Sequence, residues 1–247
     1  MLLKNKITLV TGSTHNIGLA IARAFAREGA KVVVHSRHEE DAKKVAQDIN
    51  GDYFAADMSR AEQVAAMFNH IKTKHRRLDV LVNNVAHSAK GGILEISLEE
   101  WNRILAINLT GYFLCIQHAG RMMMEQGGGS IINISAGSGE RSSPGGAAYS
   151  ISKGAVNSLT KQAAADLAPT IRVNGLISGL VGTPIGSTDM GNRKPAYDMI
   201  PLRRIGQPED VAEAAVFLAS EKASYITNAI LPVDGGRLNS MGSGSSR

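Results

Sequence analysis

Runs of β-branched residues alternate with amphipathic stretches along this chain, and that rhythm restricts the possible folds more than any other feature. Lys6-Ile7-Thr8-Leu9-Val10-Thr11, Lys31-Val32-Val33-Val34-His35-Ser36, Leu78-Asp79-Val80-Leu81-Val82-Asn83, Ser130-Ile131-Ile132-Asn133-Ile134-Ser135 and Ile171-Arg172-Val173-Asn174-Gly175-Leu176 read as buried strands, with a shorter one around Asp52–Ala56. Helices are expected between them: Ile17 to Glu28, about Glu39 to Ile49, about Arg60 to Lys74, a long one from about Leu98 to Glu125, and about Tyr149 to Leu167. Gly29 and Gly127-Gly128-Gly129 stop two of these helices. Strands joined through helices return to the same end of a sheet and so run parallel. Right-handed crossovers with one reversal of strand order give an α/β, doubly wound parallel sheet of the Rossmann type, which binds ligands at the carboxyl ends of its strands.

No linker interrupts the first 236 residues, so one domain over residues 4–236 is expected. Residues 237–247, ending Gly242-Ser243-Gly244-Ser245-Ser246-Arg247, are expected to form a flexible or appended tail. The charge balance, 27 Lys and Arg against 22 Asp and Glu, is mildly basic and spread along the chain. Its densest run, Lys72-Thr73-Lys74-His75-Arg76-Arg77, falls where a helix ends, so the helix dipole explains it better than a nucleic acid. No apolar run reaches the roughly 20 residues of a membrane span, and the N-terminus enters a strand at once. The lone Cys115 sits in an apolar helical stretch and reads as a small core residue. A cytoplasmic protein without nucleic-acid or membrane partners is expected. The seven His show no metal-ligand spacing, so no metal site is expected.

The first strand-to-helix turn, Thr11-Gly12-Ser13-Thr14-His15-Asn16-Ile17-Gly18, offers backbone amides and a helix N-terminus to a pyrophosphate. The second strand then ends His35-Ser36-Arg37. An acidic residue there would take the ribose 2′-hydroxyl of NAD, whereas a Ser followed by Arg suits the 2′-phosphate of NADP(H). Tyr149-Ser150-Ile151-Ser152-Lys153 places a phenol and an ammonium one helical turn apart on one face. A nearby cation favours phenolate, so the Tyr149 pKa is expected to fall toward the working pH of a general acid/base.

With these pieces and others in order, residues from about 4 to 236 resemble the short-chain dehydrogenase/reductases, in their 3-oxoacyl-carrier-protein-reductase and carbonyl-reductase-like branch. The matching residues are Thr11-Gly12…Gly18, Asp57 after the third strand, Asn83-Asn84 after the fourth, and Asn108 in the long helix. Tyr149 and Lys153 follow, then Gly179 and Thr183, the stretch Pro201-Leu202-Arg203-Arg204-Ile205-Gly206-Gln207-Pro208-Glu209-Asp210-Val211, and Val233-Asp234-Gly235-Gly236. The resemblance implies an oxidoreductase moving hydride between NADP(H) and a carbonyl or alcohol. It implies that Gly12, Ser13, Thr14, His15, Asn16, Ile17, Gly18, Ser36, Arg37, Asp57, Met58, Asn83, Asn84, Val85, Gly179, Val181 and Thr183 meet the cofactor, Thr183 at the carboxamide. Tyr149 would exchange a proton with the substrate oxygen, Lys153 would hold the ribose and the Tyr pKa, and Asn108 would anchor a proton-carrying water. It implies a homotetramer too, with the two long helices against a twin subunit, Met122-Met123-Met124 serving as core or subunit contact.

Four positions depart from the family pattern. Asn16 replaces a glycine, tolerable because Asn adopts left-handed conformations. Asn83-Asn84-Val85-Ala86 adds modest bulk, and Ser178-Gly179 lacks a proline before the glycine. The fourth is Ala136, thirteen residues before Tyr149, where the family carries a Ser that donates to the reacting oxygen. Ser135 should face the other side of its strand, and Ser138 in the following loop is a candidate substitute. Three explanations stay open: a replacement compensated by Ser138, a degenerate enzyme, or a deliberate Ser→Ala exchange. A non-catalytic NADP(H)-binding redox sensor is the alternative function. Residues about 184–200 read as a lid, and His87, Ser88, Glu140 and Arg141 as polar groups facing the cleft.

Overall fold

The computed structural model describes residues 1–182 and 199–240. Seven strands, β1 (Ile7–Val10), β2 (Lys31–Ser36), β3 (Asp52–Ala55), β4 (Val80–Asn83), β5 (Gly129–Ala136), β6 (Ile171–Ser178) and β7 (Ile230–Val233), form one parallel sheet in the order β3-β2-β1-β4-β5-β6-β7. The order reverses between β1 and β4, and at that point a crevice opens beyond the carboxyl ends. Helices α1 (Asn16–Arg27), α2 (Glu39–Asp48), α3 (Ala61–His75), α4 (Leu98–Leu105), α5 (Gly111–Gln126), α6 (Ala147–Leu167) and α7 (Pro208–Ala219) connect the strands.

Alternation along each strand builds two apolar layers. Val10, Val34, Val82 and Ile132 point into one, closed by Ile21 and Phe25 of α1 and by Val211 and Ala215 of α7. Their neighbours Leu9, Val33, Leu81 and Ile131 point into the other, closed by Met67 and Ile71 of α3, Cys115 and Met123 of α5, and Ala163 of α6. Cys115 is buried and its thiol is pushed up by desolvation, as its reading as a core residue requires. Met122 and Met123 are buried, and Met124 is exposed.

Two expectations need correction, and two elements were not foreseen. The single helix Leu98 to Glu125 is interrupted by a π-helical turn, Ala106–Thr110, in which the amide of Gly111 reaches back to the carbonyl of Ala106. Such a turn inserts one residue without breaking the helix, so the stretch still reads as one helical segment although the apolar phase shifts beyond it. Strand β7 and helix α7 lie in stretches recognised only as motifs. Pro208 opens α7 at a position that needs no amide, and the Gln207 amide donates to the Asp210 carboxylate at 2.7 Å. The domain also runs past residue 236. Asp234 accepts the amides of Gly236 (2.8 Å) and Leu238 (2.6 Å), and Arg141 donates to the carbonyls of Arg237 (3.2 Å) and Ser240 (3.1 Å). The proposed lid overlaps residues 183–198, which lie outside the described residues, as do 241–247.

The basic run at the end of α3 is largely occupied by ion pairs. His70 and His75 each lie 2.8 Å from the Asp52 carboxylate, Lys74 also pairs with it, Lys72 pairs with Glu125, and Arg77 with Asp79. These partners hold Asp52 well below the usual carboxylate range although burial opposes them.

Where β1, β2 and β3 end together, His35 joins all three. Its Nδ1 accepts the Gly12 amide at 3.0 Å, so the ring proton sits on Nε2, which donates to the Ala56 carbonyl at 3.0 Å. Desolvation lowers its pKa to about 4. A protonated ring would lose the Gly12 bond, so the neutral form belongs to the folded state. An unfolded His titrates near 6.5, so between about pH 6.5 and 4 the unfolded chain binds the extra proton and stability falls with pH. The total loss is about 3 kcal/mol. Urea denaturation of the wild type and of His35→Gln checks this between pH 6.5 and 5, above the carboxylate range. The variant is expected to show a slope shallower by nearly one proton, and equal slopes would refute the assignment.

Candidate active site

The turn from β1 to α1 is shaped by backbone contact. Gly12 has φ +64°, and a Cβ there would stand 3.0 Å from Val85 Cγ2. A Cβ on Gly18 would lie 2.2 Å from the Gly12 carbonyl, so helix and turn touch main chain to main chain. Asn16, in place of glycine, adopts φ +50°, the left-handed conformation its tolerance anticipates. Asn84 secures the turn from β4: its amide donates to Thr11 Oγ1 (2.8 Å), and its side chain donates to the carbonyls of Thr11 (2.9 Å) and Gly12 (3.1 Å). No side chain caps α1 and no acidic residue lies in its first turn, so its amides and positive dipole end face the crevice free.

The crevice has a volume of about 530 Å³. Ser36, Arg37, His38, Asp41, Asp57 and Met58 line one part of it; Gly12, Thr14, His15, Asn16, Ile17 and Gly18 line the wall at the β1–α1 turn. Asn84, Val85, His87, Ala136, Tyr149, Lys153, Gly179 and Val181 are among the residues that line the rest. Burial raises the Asp57 pKa, but two bonds from Ser59 and the charges of Arg37 and Arg60 together hold it below its ordinary value. An elongated cleft with free helix amides at its middle and an Arg beyond fits a dinucleotide.

Some expected contacts are not made by side chains. Ser13 Oγ donates to the Val10 carbonyl (2.7 Å) and accepts the His35 amide (3.0 Å), so it braces the turn from beneath. Asn83 is buried and donates to Asn133 Oδ1 at 2.9 Å, continuing to Thr160 through Asn133 Nδ2, again at 2.9 Å. Both lie away from the lining, because the last core positions of a parallel strand point into the helical layers. Glu140 is bonded by Asn157 (2.6 Å) and Arg141 by the C-terminal carbonyls, so neither faces the cleft, and Ser88 is not in its lining either. Thr183 lies outside the described residues.

At the other end, α6 carries Tyr149 and Lys153 one turn apart, with the ammonium 5.8 Å from the Tyr149 ring centroid. Lys153 is buried; its Nζ donates to the Ile134 carbonyl (2.9 Å) and to the Tyr112 hydroxyl oxygen (3.4 Å). Desolvation brings its pKa down to about 7, and burial pushes Tyr149 up. The expectation of a lowered Tyr149 pKa is therefore corrected for the cofactor-free protein: loss of water outweighs a cation that is itself weakened by burial.

Asn108 sits in the π-helical turn, wholly buried. Its Oδ1 accepts the His87 amide (2.7 Å), and its Nδ2 donates to the His87 carbonyl (2.9 Å) and Ser152 Oγ (3.0 Å). It thus clamps the β4–α4 loop to α6 with its side chain and does not itself line the crevice. Ala136 ends β5, paired with Ser178, and lines the cleft, while Ser135 Oγ turns to the Lys153 carbonyl at 3.1 Å. Ser138 Oγ is buried, has no hydrogen-bond partner among the described residues and is absent from the lining. A Cβ on Gly139 would meet the Lys153 carbonyl carbon at 2.7 Å, so the loop after β5 lies on the backbone of α6. Sequence reading passed over His35 and Tyr112; a lone imidazole among valines was the visible sign of the first.

A family model described as enoyl-(acyl carrier protein) reductase matches residues 12–237. The chain is 38% identical over 244 residues to a 3α-hydroxysteroid dehydrogenase of Mediterraneibacter gnavus, covering 95% of this chain and 98% of that one. It is 37% identical over 242 residues to a 3-oxoacyl-[acyl-carrier-protein] reductase of Aquifex aeolicus, with 95% and 98% covered. Among solved structures, a chain from Sinorhizobium meliloti 1021 named as a candidate short-chain alcohol dehydrogenase superposes with a TM-score of 0.92 at 32% identity, over 97% of this chain and 98% of that one. The parallel sheet, the glycine turn and the Tyr149–Lys153 pair agree with these matches: the chain belongs to the short-chain dehydrogenase/reductase family of oxidoreductases, in its 3-oxoacyl-reductase and carbonyl-reductase-like branch.

Proposed function

We propose that this protein is an NADP(H)-dependent reductase or dehydrogenase of a carbonyl or secondary alcohol, working through Tyr149, Lys153 and Asn108. The observation that carries this reading is one cleft holding the glycine turn and free α1 amides, Ser36 with Arg37, and the Tyr149–Lys153 pair. The names of the two curated relatives, a hydroxysteroid dehydrogenase and a 3-oxoacyl reductase, both belong to this chemistry. The nicotinamide, when bound, supplies or takes the hydride. Tyr149 gives its proton to the carbonyl oxygen in reduction and takes one from the alcohol in oxidation. Its raised pKa keeps it a proton donor in the empty cleft. Lys153 supplies the charge that stabilises the phenolate left behind and holds the ribose, with Thr183 assigned to the carboxamide. Asn108 fixes the His87 loop and leaves its backbone to a proton-carrying water.

The dinucleotide contacts fall to the turn from Gly12 to Gly18, with the amides from Thr14 onward as donors because those of Gly12 and Ser13 are bonded to His35, and to Asp57, Met58, Asn84, Val85, Gly179 and Val181. Ser36 and Arg37 face the 2′-phosphate, with His15 as a second contact. A homotetramer in the cytoplasm is part of the same reading. Phe113 and Met124, 47% and 40% exposed, border an apolar groove between α5 and α6 that suits a twin subunit. No described helix is long and apolar enough to cross a membrane. The sensor alternative rests on Ala136, which puts a methyl group in the cleft where the family carries a hydroxyl.

Tyr149→Phe is expected to abolish turnover of a ketone panel while NADPH affinity stays nearly unchanged; an active variant would overturn the mechanism. For the cofactor, fluorescence titration of Arg37→Asp should show NADPH weakened far more than NADH. Equal affinity of the unaltered protein for the two nucleotides at physiological salt would refute the assignment. Ala136→Ser should raise kcat by about 10- to 1000-fold with little change in KM, since such a donor acts on charge that develops in the transition state. A smaller gain would give the role to Ser138 or water, and Ser138→Ala would then lower activity. Cofactor binding without turnover even in Ala136→Ser would favour the sensor.

A further inference from the structure

Tyr112 lies at the start of α5, one turn beyond Asn108. The π-helical turn sets its direction, since an inserted residue rotates everything after it by about 100° and swings this position toward the sheet. Gly111 beside it packs on the Met58 carbonyl, which a Cβ would approach to 2.8 Å, so the start of α5 has no room to shift. The Tyr112 side chain is 1% exposed. Its hydroxyl donates to the Ile134 carbonyl (3.2 Å) and accepts from Lys153 Nζ (3.4 Å), while Nζ also donates to Ile134 (2.9 Å). Phenol, ammonium and carbonyl therefore form a closed triangle, with Nζ 5.1 Å from the Tyr112 ring centroid. Around the ammonium, α5 contributes Tyr112 and, behind it, Cys115; α6 contributes Tyr149; β5 contributes only a carbonyl. Among the described residues no carboxylate pairs with it.

We propose that Tyr112 is a positioning residue for Lys153, its phenol oxygen holding the buried ammonium against the Ile134 carbonyl at the end of β5. A buried cation without a counter-ion depends on oriented dipoles, and Tyr112 supplies one of the two that reach this one. The same contact fixes where the charge stands relative to Tyr149, one turn earlier on α6. The role of Lys153 in this argument rests on the function proposed above, whereas the contact itself does not.

The test uses Tyr112→Phe, which keeps the ring and removes only the hydroxyl, with its bond to the Ile134 carbonyl and its acceptance from Lys153. Lysine labelled with ¹³C at Cε, with Lys153→Arg to assign its signal, gives the Lys153 titration directly in the cofactor-free protein. The midpoint is expected to fall by about 0.5 to 1 pH unit, because removing a hydrogen bond to the charged form favours the neutral one. An unchanged midpoint overturns the proposal. In oxidation of 1-phenylethanol with NADP⁺, the pH midpoint of kcat should rise by a similar interval. At pH 7, kcat should fall about 3- to 10-fold, with the NADP⁺ dissociation constant within about twofold. A merely structural Tyr112 would leave both midpoints in place. Should the wild type oxidise or reduce no substrate, the proposed function fails while the Lys153 titration still decides this inference. Should Tyr112→Phe not fold, Tyr112→Leu is read in the same way.

Discussion

Lys153 carries an ammonium that the fold has taken out of water, and among the described residues no carboxylate pairs with it. Burying a bare charge costs more than most single interactions return, so every neighbour of this nitrogen is constrained. The Ile134 carbonyl must be free of ladder bonding toward it, which places the lysine at the end of β5. Ser135 must hold the Lys153 carbonyl, and Gly139 must lie on the helix backbone, or α6 would drift from the strand. The widened turn at Ala106–Thr110 then brings Asn108 and Tyr112 to the same corner. Removal of the carboxylate that usually meets a buried lysine leaves the charge available for a ligand instead.

The opposite part of the cleft is built by the contrary means, with charge kept away. A neutral imidazole supports the Gly12 amide from below, an amide side chain from Asn84 holds its carbonyl, and no acid stands at the N-terminus of α1. The first turn thus keeps its net positive potential for an anion, while its geometry is fixed by groups that carry none. Ser13 and Asn83 belong to this scaffolding; their side chains serve the turn and the strand ends.

The layers of the fold were legible in the sequence because strand alternation and helix periodicity report directly on burial, as Leu9 against Val10 and Val33 against Val34 illustrate. Glycine positions were legible where a turn or contact admits no Cβ, as at Gly12 and Gly18. Helical spacing put Tyr149 and Lys153 on one face, but only the motifs around them singled the pair out. What stayed hidden depended on partners distant in sequence. His35 takes its meaning from residues 12 and 56, Tyr112 from 134 and 153, and Glu140 from 157. The Tyr149 pKa was misread for the same reason: spacing reveals a neighbouring cation, but the loss of water around both groups is a property of the assembled cleft.

Arg141 ties the loop that leads into α6 to the carbonyls of Arg237 and Ser240, across nearly one hundred positions of chain. Chains are made from the N-terminus at a finite rate, and earlier parts begin folding before later ones exist. The sheet through β6 and the whole of α6 can therefore assemble on the ribosome while this loop still has nothing to hold. Anchoring a loop at its middle shortens its free spans and lowers the entropy it must give up to adopt one shape. The loop before Tyr149 is accordingly braced only once residues 237 to 240 have been made, so this side of the crevice takes its final shape later than the strands beneath it.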